Sequence, residues 1–75
     1  MCNKAQQDYQ KAFVFYTKAA DLDYSLAKIQ LAEMYFSGKG VNKNVAKAIE
    51  IIQPVADLGD PKAQYNLKWY INHSS

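Results

Sequence analysis

The side chains that could carry out catalysis or hold a metal are few, and they lie far apart along the chain. The single histidine, His73, and the single cysteine, Cys2, stand near opposite ends of the sequence. A metal site needs clustered ligands, and nucleophilic catalysis needs a nucleophile beside a base. The sequence therefore predicts no catalytic residues, no metal site and no cofactor site.

Carboxylates occur in pairs at the predicted ends of helices. Asp21 and Asp23 form one pair, and Asp57 and Asp60 form the other. A carboxylate in such a place commonly accepts hydrogen bonds from the free N–H groups at the start of a helix. We interpret these acids as helix caps and solvated charges rather than as catalytic pairs.

The charge balance is slightly basic, with nine basic residues against seven acidic ones and a net charge of +2 over 75 residues. All nine basic residues are lysines. Arginine dominates bidentate recognition of phosphate and guanine, so its absence from the sequence argues against nucleic acid as a partner. Lys39, Lys43 and Lys47 surround a glycine loop, where a solvated face and contact with an acidic partner or membrane surface are both open interpretations.

Cys2 follows Met1 and has no second cysteine with which to form an internal disulfide. Two interpretations stay open. Cys2 is either a chance cysteine near a terminus, where residues carry few constraints, or the lipid-bearing cysteine of a bacterial lipoprotein, which would indicate a periplasmic or secreted location. The sequence contains neither a signal peptide nor an apolar run of about 18 residues, the length of a membrane-spanning helix.

A glycine loop lies between two helical patterns in the middle of the chain. Gly38 and Gly40 stand two residues apart, and glycine adopts positive φ angles without steric cost. Gly38 is predicted to end the preceding helix, and Gly40 to let the chain reverse. Asn44 is predicted to cap the following helix. The pattern therefore predicts a helix–loop–helix hairpin.

Apolar residues elsewhere recur every three or four positions, which is the period of a helix and not of a strand. The period predicts four helices, over about residues 8–22, 25–37, 45–58 and 61–72. Asp8 is predicted to cap the first helix, and Asp60, followed by a proline, the fourth. Pro54 lies inside the third helix and is predicted to bend it or to make its last turn restart.

The chain also repeats itself at a fixed distance. Ala12 matches Ala48, and Leu31 matches Leu67, in each case 36 residues further on. Other pairs in the same register are Ala20 with Ala56, Ala27 with Ala63, and Asp8 with Asn44. A fixed period of this size indicates a solenoid of helical hairpins. The recurring alanines predict positions where two helix axes approach closely.

These residues resemble the Sel-one-like repeat, a relative of the tetratricopeptide repeat whose period is close to this one. The complete copy consists of Ala27, Leu31, Tyr35, Gly38-Lys39-Gly40-Val41, Asn44, Lys47-Ala48, Ala56, Gly59 and Ala63. A partial copy before it consists of Lys11-Ala12, Phe15-Tyr16 and Lys18-Ala19-Ala20. The resemblance implies an all-α fold, an α/α superhelix of antiparallel hairpins with about four helices. The repeat domain is expected over residues 8–72, between a disordered segment 1–7 and a tail 73–75.

The sequence departs from the family pattern at a few positions. Ala32 and Lys68 stand where the family has a glycine, and Asp23 replaces the glycine that ends a helix. Ile51 and Ile52 replace an aromatic pair. None of these changes interrupts the helical pattern. Ala32 and Lys68 are expected to widen a tight helix contact.

The resemblance implies a non-catalytic module that binds a protein or peptide as an adaptor or scaffold. Family members act in signalling, in protein quality control and in bacterial contacts with host cells. The chain begins with a second-helix unit and stops after a first-helix unit, so a slice of a longer repeat array, with binding elsewhere in the parent, is one alternative. A module that associates with itself end to end is the other.

A partner is expected on the inner face formed by the first helix of each hairpin. The candidate partner-binding residues on this face are Gln30, Glu33, Ser37, Asn66 and Trp69. Tryptophan dominates binding hot spots, which favours Trp69 as the centre of the site. Burial of Trp69 against a neighbouring repeat is the alternative interpretation.

The two ends of the solenoid are expected to expose aromatic rings. The first helix carries Tyr9, Phe13, Phe15 and Tyr16, and the fourth carries Tyr65, Trp69 and Tyr70. These are more aromatic side chains than one neighbouring helix covers. Large exposed apolar patches mark interfaces, so we expect these ends to be covered by another chain.

Overall fold

The computed structural model describes residues 3–74, with side chains from residue 8 onward. This part of the chain forms four helices and no strand: α1 (Asn3–Asp21), α2 (Ser25–Ser37), α3 (Val45–Asp57) and α4 (Pro61–Asn72). Each helix packs against the next one along the chain. The predicted fold class, an all-α solenoid of helical hairpins, is confirmed.

The hairpin of α2 and α3 is closed by the residues that the sequence predicts. Gly38 ends α2 in the left-handed conformation, with φ at 75°, and its N–H donates to the Met34 carbonyl at 2.7 Å. The Asn44 side-chain oxygen caps α3 by accepting from the Lys47 N–H at 3.0 Å. The Asn44 N–H donates to the Tyr35 carbonyl at 2.8 Å, so the end of the loop is fastened back onto α2.

Gly40 has a second role beyond reversing the chain. Its φ is 74°, and a Cβ built on it would lie 2.5 Å from the carbonyl oxygen of Tyr9. Because no side-chain carbon fits at that distance, Gly40 lets the loop touch the backbone of α1. The loop therefore joins α1 to the following hairpin.

The connection between α3 and α4 is also locally encoded. Gly59 takes a φ of 98° after the last turn of α3. Asp60 then caps α4, with its carboxylate accepting from the backbone N–H groups of Lys62 at 2.9 Å and Ala63 at 3.1 Å. Pro61 is the first residue of the helix, where a missing N–H costs nothing. The predicted cap at Asp60 is confirmed.

The core lies between α2, α3 and α4. It consists of Ile29, Ala32, Ala48, Ile52, Val55, Ala56, Ala63 and Tyr70. Ala32, Ala48 and Ala63 have no exposed surface, which places small side chains where the helices come closest. The equivalent alanines of α1, Ala12 and Ala20, are only half-buried, because only one side of α1 is covered among the described residues.

The start of α1 differs from the prediction. The helix begins at Asn3, so Asp8 lies inside it and does not cap it. Residues 4–7 are lysine, alanine and two glutamines, all good helix formers, and they extend the helix beyond the aspartate. The segment 1–7, which is predicted to be disordered, is therefore helical from residue 3.

The end of α3 contradicts one of the two effects predicted for Pro54, the restart of the last turn. The helix runs unbroken through Pro54 to Asp57, and Leu58 follows it as the C-cap. Pro54 lies in the last turn, where the loss of its N–H removes a single hydrogen bond to the Glu50 carbonyl. The Leu58 N–H donates to the Pro54 carbonyl at 3.2 Å and so closes that turn. A restart of the helix after Pro54 is therefore not needed.

Candidate functional site

An open groove of about 500 Å³ lies between α2 and α4, the first helices of two consecutive hairpins. On α2 its lining residues are Gln30, Glu33, Phe36 and Ser37. On α4 they are Lys62, Tyr65, Asn66, Trp69 and Tyr70. The groove therefore combines aromatic rings, two carboxamides and charges of both signs.

The period of 36 residues explains why these side chains face one another. Gln30 and Asn66 are 36 residues apart, and so are Glu33 and Trp69. Residues at equivalent positions of stacked repeats lie on the same face of the solenoid. The structure accordingly brings all five sequence-predicted residues, Ser37 included, to one groove.

Aromatic stacking forms the floor of the groove. The rings of Phe36 and Tyr70 stack with centroids 4.5 Å apart and an interplanar angle of 17°. Trp69 meets Phe36 edge to face at 5.4 Å, and the His73 ring lies flat against Trp69 at 3.8 Å. Offset stacked and edge-to-face pairs are the favoured aromatic geometries. These contacts hold Trp69 in place while 41% of its surface stays exposed.

The polar side chains of the groove keep unused hydrogen-bonding capacity. Gln30, Glu33 and Asn66 are half-buried, and within the described residues none of their side chains takes part in a hydrogen bond. A carboxamide has one acceptor oxygen and two donor hydrogens. The groove therefore presents donors and acceptors without internal partners to whatever enters it.

Tyr70 lies beneath this surface and is 4% exposed. Its hydroxyl is buried and has no hydrogen-bond partner among the described residues. Burial, reinforced by the negative charge of Glu33, raises the pKa of Tyr70 above the ordinary tyrosine value, because both disfavour the phenolate. The Tyr70 side chain is therefore a neutral, unsatisfied donor under the groove.

Four groove residues escape the sequence prediction: Phe36, Lys62, Tyr65 and Tyr70. Helical spacing from Asn66 and Trp69 contains the signal for Lys62 and Tyr65, since residues three and four apart share a face. Phe36 and Tyr70 have the same spacing, from Glu33 and Asn66, but apolar residues at helical spacing look like core and so do not point to a groove.

A second, smaller groove of about 270 Å³ lies between α1 and α2 and shares Gln30, Glu33 and Ser37 with the first. It is also lined by Tyr9 and Lys39, whose ammonium nitrogen lies 5.4 Å from the centre of the Tyr9 ring. The exposed face of α2 is therefore a ridge with a groove on either side.

An apolar patch occurs at the amino-terminal end, where α1 meets the start of α2. Its most exposed members are Phe15, Tyr24 and Leu26, which are 67%, 60% and 63% exposed, and Tyr16 lies among them. We call these four residues the amino-terminal patch. The predicted exposure of aromatic rings at the solenoid ends is seen here for Phe15, and on α4 for Tyr65, which is 68% exposed.

The charged candidates of the sequence are dispersed. Asp23 pairs with Lys28 at 2.8 Å, and Lys47 pairs with Glu50 at 3.1 Å. Lys43 lies over the Phe36 ring, 5.9 Å from its centre. The three lysines around the loop thus have separate neighbours and do not form one basic cluster.

Residues 3–74 contain no group of three or more acidic, histidine or cysteine side chains placed to hold a metal ion. The same residues contain no helix that is both long and apolar enough to cross a membrane. Cys2 and the lipoprotein hypothesis attached to it lie outside the described residues.

Comparison with known families gives one result. A family model described as the Sel1 repeat matches residues 4–24 and 25–60. The second match spans α2, the glycine loop and α3, and the boundary between the two matches falls where α2 begins. No solved structure matches the chain.

Proposed function

Because this chain belongs to the Sel1 repeat family, we propose that the groove between α2 and α4 binds a peptide segment of a partner protein. Sel1 repeats generally mediate protein–protein interactions as scaffold modules, and they are typically non-catalytic. The groove offers aromatic stacking surface and side chains that can donate and accept hydrogen bonds, which is chemistry suited to recognising a peptide. The proposal therefore assigns it binding without catalysis, and no cofactor.

The main support for the proposal is that the Trp69 ring is partly exposed and yet held in place. The ring is 41% exposed in the groove, although Phe36 and His73 hold it by ring contacts. Tryptophan dominates binding hot spots because it buries a large apolar area with little loss of side-chain freedom. A ring fixed before binding loses still less freedom, so the geometry favours Trp69 as the anchor.

The test begins with selection of dodecamer peptides from a random phage-displayed library on the purified chain. Trp69 is the only tryptophan, so its fluorescence reports directly on occupation of the groove. We expect a selected peptide to change this emission. We also expect Trp69→Ala to weaken binding by at least about tenfold in calorimetry.

Phe15→Ala is the matched control, because Phe15 is an exposed ring outside the groove. It should leave the affinity within about twofold of the unmodified chain. Failure of the library to yield any binder would contradict the proposal and favour a purely structural role. Equal losses of peptide affinity in Trp69→Ala and Phe15→Ala would show that the peptide binds outside the groove.

A second candidate function is association of two copies through the amino-terminal patch. The α4 end is less suited to this contact, because Lys68 and Asn72 stand where α2 has Ala32 and Phe36. The patch is therefore proposed to pair with the same patch of a second copy, as in a two-fold symmetric dimer. Sedimentation velocity at micromolar concentration should find a dimer that becomes a monomer in Leu26→Ser. Tyr65→Ser is the control that should not change the mass, and a monomeric unmodified chain would reject this candidate.

A further inference from the structure

We infer that the groove holds its peptide in an extended conformation, and that Gln30 and Asn66 bind the main chain of that peptide. The inference rests on the proposed function of the groove. Its starting observation is that the two carboxamides occupy equivalent positions, 36 residues apart, on consecutive first helices. Both line the same groove, both are half-buried, and neither makes a side-chain hydrogen bond within the described residues.

The chemistry of the carboxamide decides what these two side chains can bind. A carboxamide donates through its NH₂ group and accepts through its oxygen, which is the complement of one peptide group. A half-buried donor or acceptor that gains a partner only on binding favours the bound state, because its desolvation is already partly complete. Two such side chains in one register are suited to two peptide groups of a single chain.

The requirement for free peptide groups excludes a helical ligand. In a helix the N–H and C=O groups bond to each other along the axis, and only the termini keep free ones. An extended segment has none of these internal bonds. The pair of carboxamides therefore selects an extended peptide over an amphipathic helix.

Helix packing sets the register of the contact. The side chains of α2 and α4 meet at Phe36, Trp69 and Tyr70, and we take the usual spacing of neighbouring helix axes, about 8–10 Å, as the distance across the groove. An extended chain advances about 3.3 Å per residue. The peptide groups bound by Gln30 and Asn66 should therefore lie about three residues apart.

The residues beside Gln30 and Asn66 determine which side chains of the bound peptide are preferred. Tyr65 and Trp69 are 68% and 41% exposed along the α4 side of the groove, and Lys62 lies one turn before Asn66. These neighbours favour a peptide with an apolar or aromatic residue and an acidic residue on the α4 side. Main-chain contacts themselves tolerate any sequence, so the groove should accept a family of related peptides.

The experiment uses the dodecamer selected on the chain as described above. Each peptide bond of the dodecamer is replaced in turn by an ester, which removes the N–H donor with little change of shape. Affinities are measured by Trp69 fluorescence for the unmodified chain, Asn66→Leu and Gln30→Met. Gln53→Met is the matched control, because Gln53 is an exposed carboxamide of α3 outside the groove.

We expect two ester positions, about three residues apart, to weaken binding at least fivefold. One position should lose this sensitivity in Gln30→Met and the other in Asn66→Leu, while Gln53→Met retains both. A peptide that changes Trp69 fluorescence but tolerates every ester would overturn the main-chain contact and leave the proposed function standing. Ester effects that are equal in all variants would also overturn the main-chain contact by Gln30 and Asn66. A bound peptide that NMR shows to be helical would overturn it as well. If no dodecamer binds, both proposals fail.

Discussion

Two copies of the same segment, residues 23–37 and 59–73, begin with the same backbone conformations but with different chemistry. Each copy begins with a left-handed residue, Asp23 with φ at 68° and Gly59 with φ at 98°. Each continues with an extended N-cap, but Asp60 accepts two hydrogen bonds from its helix, whereas Tyr24 makes no side-chain cap. The path of the chain therefore does not depend on local signals at every copy. Packing in the repeat maintains it where they are missing.

The two copies also differ in how deeply equivalent residues of α2 and α4 are buried. Ala32 has no exposed surface and lies in the core, whereas Lys68 at the equivalent position of α4 is exposed. Phe36 is half-buried, and its equivalent Asn72 is exposed. The repeat fixes the register of a residue, while the presence of a covering helix fixes its burial. Substitutions that exchange residues between the copies should separate these two effects.

The largest effect is expected when the lysine of the second copy is placed in the first. Ala32→Lys puts an ammonium group at a fully buried position among Ile29, Ala48 and Ile52. An uncompensated buried charge costs about 3–5 kcal/mol, a large part of the stability of a domain of this size. Urea unfolding followed by circular dichroism should show loss of most of the stability.

The reciprocal change, Lys68→Ala, is the control for this exchange. Lys68 is exposed, so the free energy of unfolding should stay within about 0.5 kcal/mol. If both substitutions have the same effect, the two positions are covered alike and the comparison of the copies is wrong.

Loss of the α4 cap should have the next largest effect. Asp60→Ala leaves the N–H groups of Lys62 and Ala63 without their partner and should destabilise the protein by about 1–2 kcal/mol. The converse substitution in the first copy, Tyr24→Asp, offers the missing cap to α2 and should add about 1 kcal/mol. Thermal unfolding measures both changes. Equal melting temperatures for Asp60→Ala and the unmodified chain would show that packing alone determines the start of α4.

The sequence predicts the parts of the fold that short-range chemistry specifies. The caps at Asn44 and Asp60 and the left-handed glycine at Gly38 each need only a few neighbouring residues, and all are confirmed. The start of α1 was predicted wrongly because Asp8 has the chemistry of a cap, whereas the helix-forming residues before it continue the helix. A cap signal indicates where a helix can begin, and only the preceding residues decide whether it does.

The groove could be predicted in part for a similar reason. The repeat register places Gln30, Asn66 and Trp69 on one face from the sequence alone. The close approach of Gly40 to the Tyr9 carbonyl depends on the position of α1 against the loop, which no local pattern contains. The unpartnered Tyr70 hydroxyl likewise follows from packing, since the equivalent residue of the first copy is the apolar Met34.

Removal of that hydroxyl should have a smaller effect of opposite sign. Tyr70→Phe keeps the ring stacked on Phe36 and removes a buried donor that has no partner in the described part of the chain. We expect a gain of about 1 kcal/mol in the free energy of unfolding. Urea unfolding at pH 7 measures it, and a loss of stability would indicate that a water or another group bonds the hydroxyl.

The same variant tests the pKa of Tyr70. Because the pKa is raised in the folded protein above the ordinary value of 10.0, the folded state holds its proton more tightly than the unfolded state. The contribution of the neutral Tyr70 side chain to the free energy of unfolding is complete below about pH 10, and it is lost as the pH rises through the folded pKa. The advantage of Tyr70→Phe should therefore grow above pH 10. A constant difference between the two proteins across that range would contradict the shift.

The smallest effect is expected at the start of the first copy, where Asp23 holds the left-handed conformation that Gly59 holds in the second. Asp23→Gly should raise the melting temperature by less than about 4 °C, because glycine adopts a φ of 68° without steric cost but loses the ion pair with Lys28.

The hydrogen bond and the charge of Lys28 lower the pKa of Asp23, so the ion pair contributes fully above the ordinary value of 3.8 and is lost as the pH falls through the folded pKa. Salt screens the same pair, since the Asp23 side chain is 88% exposed. The rise in melting temperature caused by Asp23→Gly should therefore be larger at about pH 2, or in about 1 M salt, than at neutral pH and low salt. Asp23→Asn is the control: it removes the charge but keeps a residue that tolerates this φ, so it should melt lower than the unmodified chain only at low salt. A Gly variant that melts lower under every condition would show that the two copies reach their shared path without strain.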